Sequence, residues 1–104
     1  YLEMLAAGYT SVGEFHYLQR DEAGKPYANP LELHEAVLAA ARDTGIRIVL
    51  INTAYVNGGV LLPLRPPQRR FNTPDLDEFL AQCDQLSRLV QDMPNTTMAI
   101  APAF

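Results

Sequence analysis

Cysteine is nearly absent from this 104-residue chain, and its scarcity excludes several chemistries at once. The single thiol, Cys83, cannot close an internal disulfide, and no neighbouring Cys or His suggests a zinc ribbon or a redox pair. A reducing, cytoplasmic setting is the expectation. Positive charge is also scarce: 8 Lys and Arg stand against 12 Asp and Glu, for a net charge of -4. The only adjacent basic pair is Arg69 and Arg70, so no clustered basic face is available for phosphates and no nucleic-acid partner is expected. No run approaches the roughly 20 apolar residues needed to cross a bilayer, so no membrane segment is expected either. No signal peptide is visible, although a chain that lacks its true start would not show one. Histidine is limited to His16 and His34, too few for the three or four converging ligands of a metal site. Gly58 and Gly59 form an isolated pair without the lysine or the spacing of a phosphate-cradling loop, which argues against nucleotide binding.

What is present is a regular alternation of helix and strand. Residues 2–7 read as a helix closed by Gly8, and residues 10–15 as a short buried strand. A charged, turn-forming loop follows from Gln19 to Pro26. Asn29, Pro30 and Glu32 have the character of a helix start. Leu33, Val37, Ala40, Ala41 and Thr44 then make an apolar stripe that ends at Gly45. Residues 46–55 carry the continuous run Ile48, Val49, Leu50, Ile51, as expected of a strand covered on both faces. The connection over residues 56–72 is long enough to suggest a functional loop. Thr73 and Pro74 open a third helix, in which Leu76, Phe79, Leu80, Cys83, Leu86 and Val90 follow a 3.6-residue period. Met93, Pro94 and Asn95 break that helix, and residues 97–101 read as a third strand.

The pattern α-β-α-β-α-β implies about three parallel strands with intervening helices. Both doubly wound sheets and eight-stranded barrels contain such a unit. The chain opens at Tyr1 inside a helix, without initiator Met or cap, and stops at Phe104 directly after a strand; both ends read as truncated. A complete barrel takes about 250 residues. The expected fold class is therefore α/β, a partial (β/α)8 TIM-barrel, with residues 1–104 forming a single segment of it.

Candidate site residues cluster at the C-terminal end of the first strand, where parallel sheets keep their active sites. Alternation puts Glu14 and His16 on one face and Phe15 and Tyr17 on the other. His16 could ligate a metal or shuttle a proton, or could satisfy a structural hydrogen bond. Glu14 could orient a ligand or belong to a polar network. His34 is expected on a helix face that points to solvent or to a neighbour. Arg69 and Arg70 could grip a carboxylate in bidentate fashion, or be two solvated charges ahead of a buried Phe71. Tyr55 ends the second strand as Tyr17 ends the first, and either lines the pocket or covers the core. Cys83 reads as core.

The stretch from Glu3 to Leu18, including Glu14-Phe15-His16-Tyr17, resembles the second-strand region of the formimidoylglutamate deiminases, members of the amidohydrolase superfamily. The resemblance continues through Pro26-Tyr27-Ala28-Asn29-Pro30-Leu31-Glu32-Leu33 and Pro66-Pro67-Gln68-Arg69-Arg70-Phe71. It implies a zinc-dependent hydrolase of histidine degradation, in which a metal-bound hydroxide attacks the formimino carbon of N-formimino-L-glutamate and ammonia leaves. It also implies that Tyr17 contacts a small-molecule substrate, with His16, Arg69 and Arg70 as further substrate-binding candidates. The family's zinc ligands lie in a His-x-His after the first barrel strand and on later strands, so this chain alone is expected to bind no zinc and to be inactive.

Two departures bear on the substrate. The family closes its fourth strand with His and Ser, whereas Ala103 and Phe104 follow Pro102 here, and residues 56–64 differ from the family's Gly-rich loop. An amidohydrolase acting on another amidine or cyclic C–N substrate is the close alternative. A stand-alone, non-catalytic α/β interaction module, with its sheet edges covered in a homo-oligomer, is the alternative from another class.

Overall fold

A computed structural model describes residues 1–58 and 61–103. Gly59 of the glycine pair, Val60 and the terminal Phe104 lie outside the described residues. Helix α1 (Leu2–Ala6) leads into strand β1 (Ser11–His16), helix α2 (Glu32–Thr44) into β2 (Arg47–Tyr55), and helix α3 (Leu76–Gln91) into β3 (Thr96–Ala103). The three strands form one parallel sheet in the order β1-β2-β3. The expected α/β architecture is borne out.

Side-chain alternation divides the sheet into two unlike faces. Ile48 and Leu50 of β2 are buried against Leu38 and Ala41 of α2 and Leu86 and Val90 of α3. Both helices therefore cover the same face. On the other face Phe15 is 57% and Val49 37% exposed. The apolar run Ile48 to Ile51 is thus covered on one side only among the described residues, which corrects the expectation of burial on both. Leu86 carries no exposed surface, and truncating a fully buried Leu usually costs about 2–5 kcal/mol through lost transfer energy and a residual cavity. Leu86→Ala should lower the unfolding free energy by that amount in urea titration; a loss below about 1 kcal/mol would contradict this core assignment.

Helix boundaries follow capping chemistry more closely than hydrophobicity. Gly45, at φ 82°, closes α2 in the left-handed conformation and donates its N–H to the Ala41 carbonyl at 2.9 Å. Asn29 does not cap α2 directly. Its side-chain oxygen accepts from Leu31 N at 3.0 Å and its amide nitrogen donates to Glu35 at 3.0 Å, making a side-chain turn just ahead of the helix. At α3 the cap is Asp75, which accepts from the amides of Asp77 and Glu78, rather than the expected start at Thr73.

The buried stripe of α2 is His34, Leu38 and Ala41; of the expected Leu33, Val37, Ala40, Ala41 and Thr44, only Ala41 is fully buried. Apolar periodicity passes over a histidine, so the inward face is rotated by about one residue from the one expected. His34, expected toward solvent or a neighbour, is completely buried. In α3 Phe79, Cys83, Leu86 and Val90 are buried as expected, while Leu76 and Leu80 are 61% and 50% exposed.

Candidate active-site wall at the C-terminal edge of the sheet

After β2 the chain forms a 3-10 helix (Pro66–Phe71) that folds back over the C-terminal ends of β1 and β2. Thr73 anchors its far side. Its hydroxyl accepts from Tyr55 N at 2.9 Å and its own N–H donates to the Tyr55 carbonyl at 2.8 Å, clamping the last residue of β2 from both sides. Gln68 anchors the near side. Its Oε1 accepts from Arg65 N at 2.8 Å, so its amide nitrogen must be the atom that donates to the Tyr55 hydroxyl at 3.0 Å.

The loop after β1 is tied to the same 3-10 helix. The amides of Gln19 and Arg20 donate to the Arg70 carbonyl at 3.0 and 3.1 Å, and Gln19 Nε2 donates to the Thr53 carbonyl at 2.8 Å. Arg20 Nε reaches the Asn72 carbonyl at 3.2 Å. Gly24 has φ 81°, and a β-carbon added there would lie 3.1 Å from Arg69 Cβ, so this turn favours glycine for both reasons.

These ties bring three rings together at the strand ends. Tyr17 and Tyr55 have centroids 5.8 Å apart, Tyr17 and Phe71 5.8 Å, and Tyr55 and Phe71 5.4 Å. The Tyr17–Tyr55 and Tyr55–Phe71 pairs pack edge-to-face, the arrangement that aromatic quadrupoles favour. Phe15, at 6.5 Å from Tyr17, extends the cluster along β1. Tyr17 is half-buried, and among the described residues its hydroxyl has no hydrogen-bond partner. A phenol held by its ring and free at its oxygen can donate to or accept from a polar ligand.

The other sequence-derived candidates are not gathered here. His16 lies on the helix-covered side of the sheet, 4% exposed, with its ring centroid 4.1 Å from that of His34. It is separated by the sheet from the face that Phe15 shares. Burial, then the neighbouring His34, push its pKa down to about 4, with a smaller opposing effect from a hydrogen bond to the Leu18 backbone. Glu14, on the same face, accepts from the Tyr1 hydroxyl at 2.9 Å. Burial, and then that bond, push the Tyr1 phenol pKa up. Arg70 donates to the Arg20 carbonyl at 3.3 Å and to the Tyr27 hydroxyl at 3.5 Å. Arg69 is exposed on the 3-10 helix. Cys83 is buried, as expected of a core thiol, and that burial raises its pKa.

Gln68, Thr73 and Asn52 had no sequence signal as site residues. Each acts through a hydrogen bond to a residue distant in sequence, and only a polar residue within an otherwise apolar strand, as at Asn52, could have drawn attention.

No family model matches the chain. Formimidoylglutamate deiminase of Pseudomonas aeruginosa is 44% identical over 72 residues, or 68% of this chain. Over that stretch the chain is similar to formimidoylglutamate deiminase. The expected resemblance is borne out by this identity. The aligned stretch spans 16% of the relative's length.

The residues described do not make a zinc site. No three His, Cys, Asp or Glu side chains among them come together. His16 and His34 are paired inside the helix–sheet interface, and two imidazoles supply only half of a tetrahedral ligand set.

Proposed function

We propose that this chain forms one wall of the active site of an amidohydrolase-type deaminase that hydrolyses N-formimino-L-glutamate to N-formyl-L-glutamate and ammonia. The observation that carries this reading is Tyr17. Its ring is braced by Tyr55 and Phe71 at the C-terminal edge of a parallel sheet, its hydroxyl is free among the described residues, and it ends the Glu-Phe-His-Tyr motif that the deiminase resemblance marks. The sequential strand order, with both helices on one face, supports a segment of a (β/α)8 barrel whose open face is the barrel interior.

In this reading the chain binds and orients substrate. The Tyr17 hydroxyl, an uncharged donor, makes a hydrogen bond to a charged group of the substrate, and the aromatic wall limits water around the reacting carbon. Arg69, exposed on the 3-10 helix, is a guanidinium available to a substrate carboxylate. Arg70 supports the loop. The zinc implied by the resemblance would have to be held by residues outside this chain. A small-molecule substrate and a cytoplasmic setting belong to the same reading.

One observation favours a second substrate. Ala103 pairs with Tyr55 in the β2–β3 register, so a methyl group stands beside the wall where the family is expected to place a histidine. An amidohydrolase for another amidine or a cyclic C–N bond would accommodate that change.

The full-length, zinc-loaded protein should release equimolar ammonia and N-formyl-L-glutamate from N-formimino-L-glutamate, and a chelator should abolish turnover. A higher kcat/KM on another amidine or a cyclic substrate would establish the second reading, and no turnover of any of them would overturn both.

A further inference from the structure

Four polar side chains occupy the helix-covered side of the sheet just beneath the aromatic wall. They are His16 of β1, His34 of α2, Asn52 of β2 and Gln82 of α3. Their hydrogen bonds have a single consistent direction. The Pro30 carbonyl can only accept, so Gln82 presents its amide nitrogen there at 3.2 Å and turns Oε1 toward Asn52. Asn52 Nδ2 therefore donates to Gln82 Oε1 at 3.0 Å, and it also reaches Cys83 Sγ at 3.3 Å. Asn52 Oδ1 is left facing His34 Nε2 at 2.8 Å, and that nitrogen must carry the proton.

This run of polar contacts ends at His16, whose ring packs on that of His34 with centroids 4.1 Å apart. The residue just before Tyr17 is thereby held from below. Among the described residues, His16 Nε2 and His34 Nδ1 remain buried without a partner. Leaving them so costs stability that a pair of apolar side chains would not cost. A cluster that is unfavourable in this way and sits under one particular tyrosine is better explained by placement than by stability.

We infer that His16, His34, Asn52 and Gln82 are positioning residues for Tyr17, a buried polar seat that holds its backbone so that the ring stays against Tyr55 and Phe71 on the opposite face. This rests on the proposed function only for the meaning of Tyr17 as a substrate contact. The seat links the start of α2 and the middle of α3 to the end of β1, so a break far from Tyr17 should still be felt there.

The test places 3-fluorotyrosine at position 17 of the full-length protein and reads its fluorine NMR line. The parent should give one sharp line. His34→Gln, whose amide nitrogen reaches the place of Nε2, should preserve it. His34→Leu, and the milder Gln82→Met, should broaden or split it. An unchanged line in Gln82→Met and in folded His34→Leu would overturn the inference. In kinetics, His34→Leu should lower kcat/KM by about tenfold, mostly through KM, and by less than about twofold when Tyr17 is already Phe. A loss that persists undiminished in the Tyr17→Phe background would also overturn it. If the parent releases no ammonia, the deiminase reading fails, while the fluorine line still decides the positioning.

Discussion

Tyr17→Phe should lower kcat/KM for N-formimino-L-glutamate by about ten- to a hundredfold in the full-length, zinc-loaded protein, with zinc content and thermal midpoint unchanged. The substitution deletes one oxygen that has no partner among the described residues, and leaves the ring contacts with Tyr55 and Phe71 in place. Stability should therefore be nearly indifferent to it. A hydrogen bond from an uncharged donor to a charged substrate group is worth about 1.5–3 kcal/mol, which sets the range. Tyr17→Ala should add a folding defect, because it also removes a ring from a packed trio. Measured kcat/KM within about twofold of the parent for Tyr17→Phe would remove Tyr17 from the site.

Acid should destabilise the protein through the buried histidine pair. Burial, then His34, lower the folded-state pKa of His16 from 6.5 to about 4. Burial also lowers that of His34, opposed by its Asn52 bond and by the nearby Glu35. Both rings are neutral in the folded protein at pH 7, and the unfolded chain takes up their protons first as pH falls. The sign follows: no penalty exists above the unfolded value near 6.5, and stability is lost progressively as pH falls from there toward the folded value. For His16, which is almost wholly buried, the accumulated loss is on the order of 3 kcal/mol near pH 4. Urea titrations at pH 7, 6, 5 and 4 should show this decline, and His16→Gln should flatten it by removing one titrating ring. Stability that stays level or rises over that interval, or a decline identical in His16→Gln, would contradict the assignment.

The alternation of helix and strand was legible because each element carries its own local signal. Gly45 stops α2, Asn95 and Pro94 separate α3 from β3, and the run Ile48 to Ile51 marks the central strand. Alternation also placed Phe15 opposite Glu14 and His16 correctly, since side-chain direction in a strand depends only on parity. The phase of α2 was not legible. His34 lies on the inward face, and its burial depends on Asn52 and Gln82, two partners supplied by other elements.

The same division applies to the site. Tyr17 stood out from its place at a strand end and from the motif it closes. Phe71 and Gln68 did not, because their approach to Tyr55 depends on a 3-10 helix folding back across the sheet. His16 had the right residue type for chemistry, but parity alone sends it to the helix side. Arg70 carries a charge suited to a carboxylate, yet two of its guanidinium nitrogens serve the Arg20 carbonyl and the Tyr27 hydroxyl.

The most direct measurement is a crystal structure of the full-length, zinc-loaded protein with a non-hydrolysable analogue of N-formimino-L-glutamate. The Tyr17 oxygen should lie within about 3.2 Å of a polar atom of the ligand, with the ligand on the open face of the sheet beside Tyr55. A ligand bound elsewhere, or one that leaves Tyr17 without contact, would contradict the proposed role of this chain.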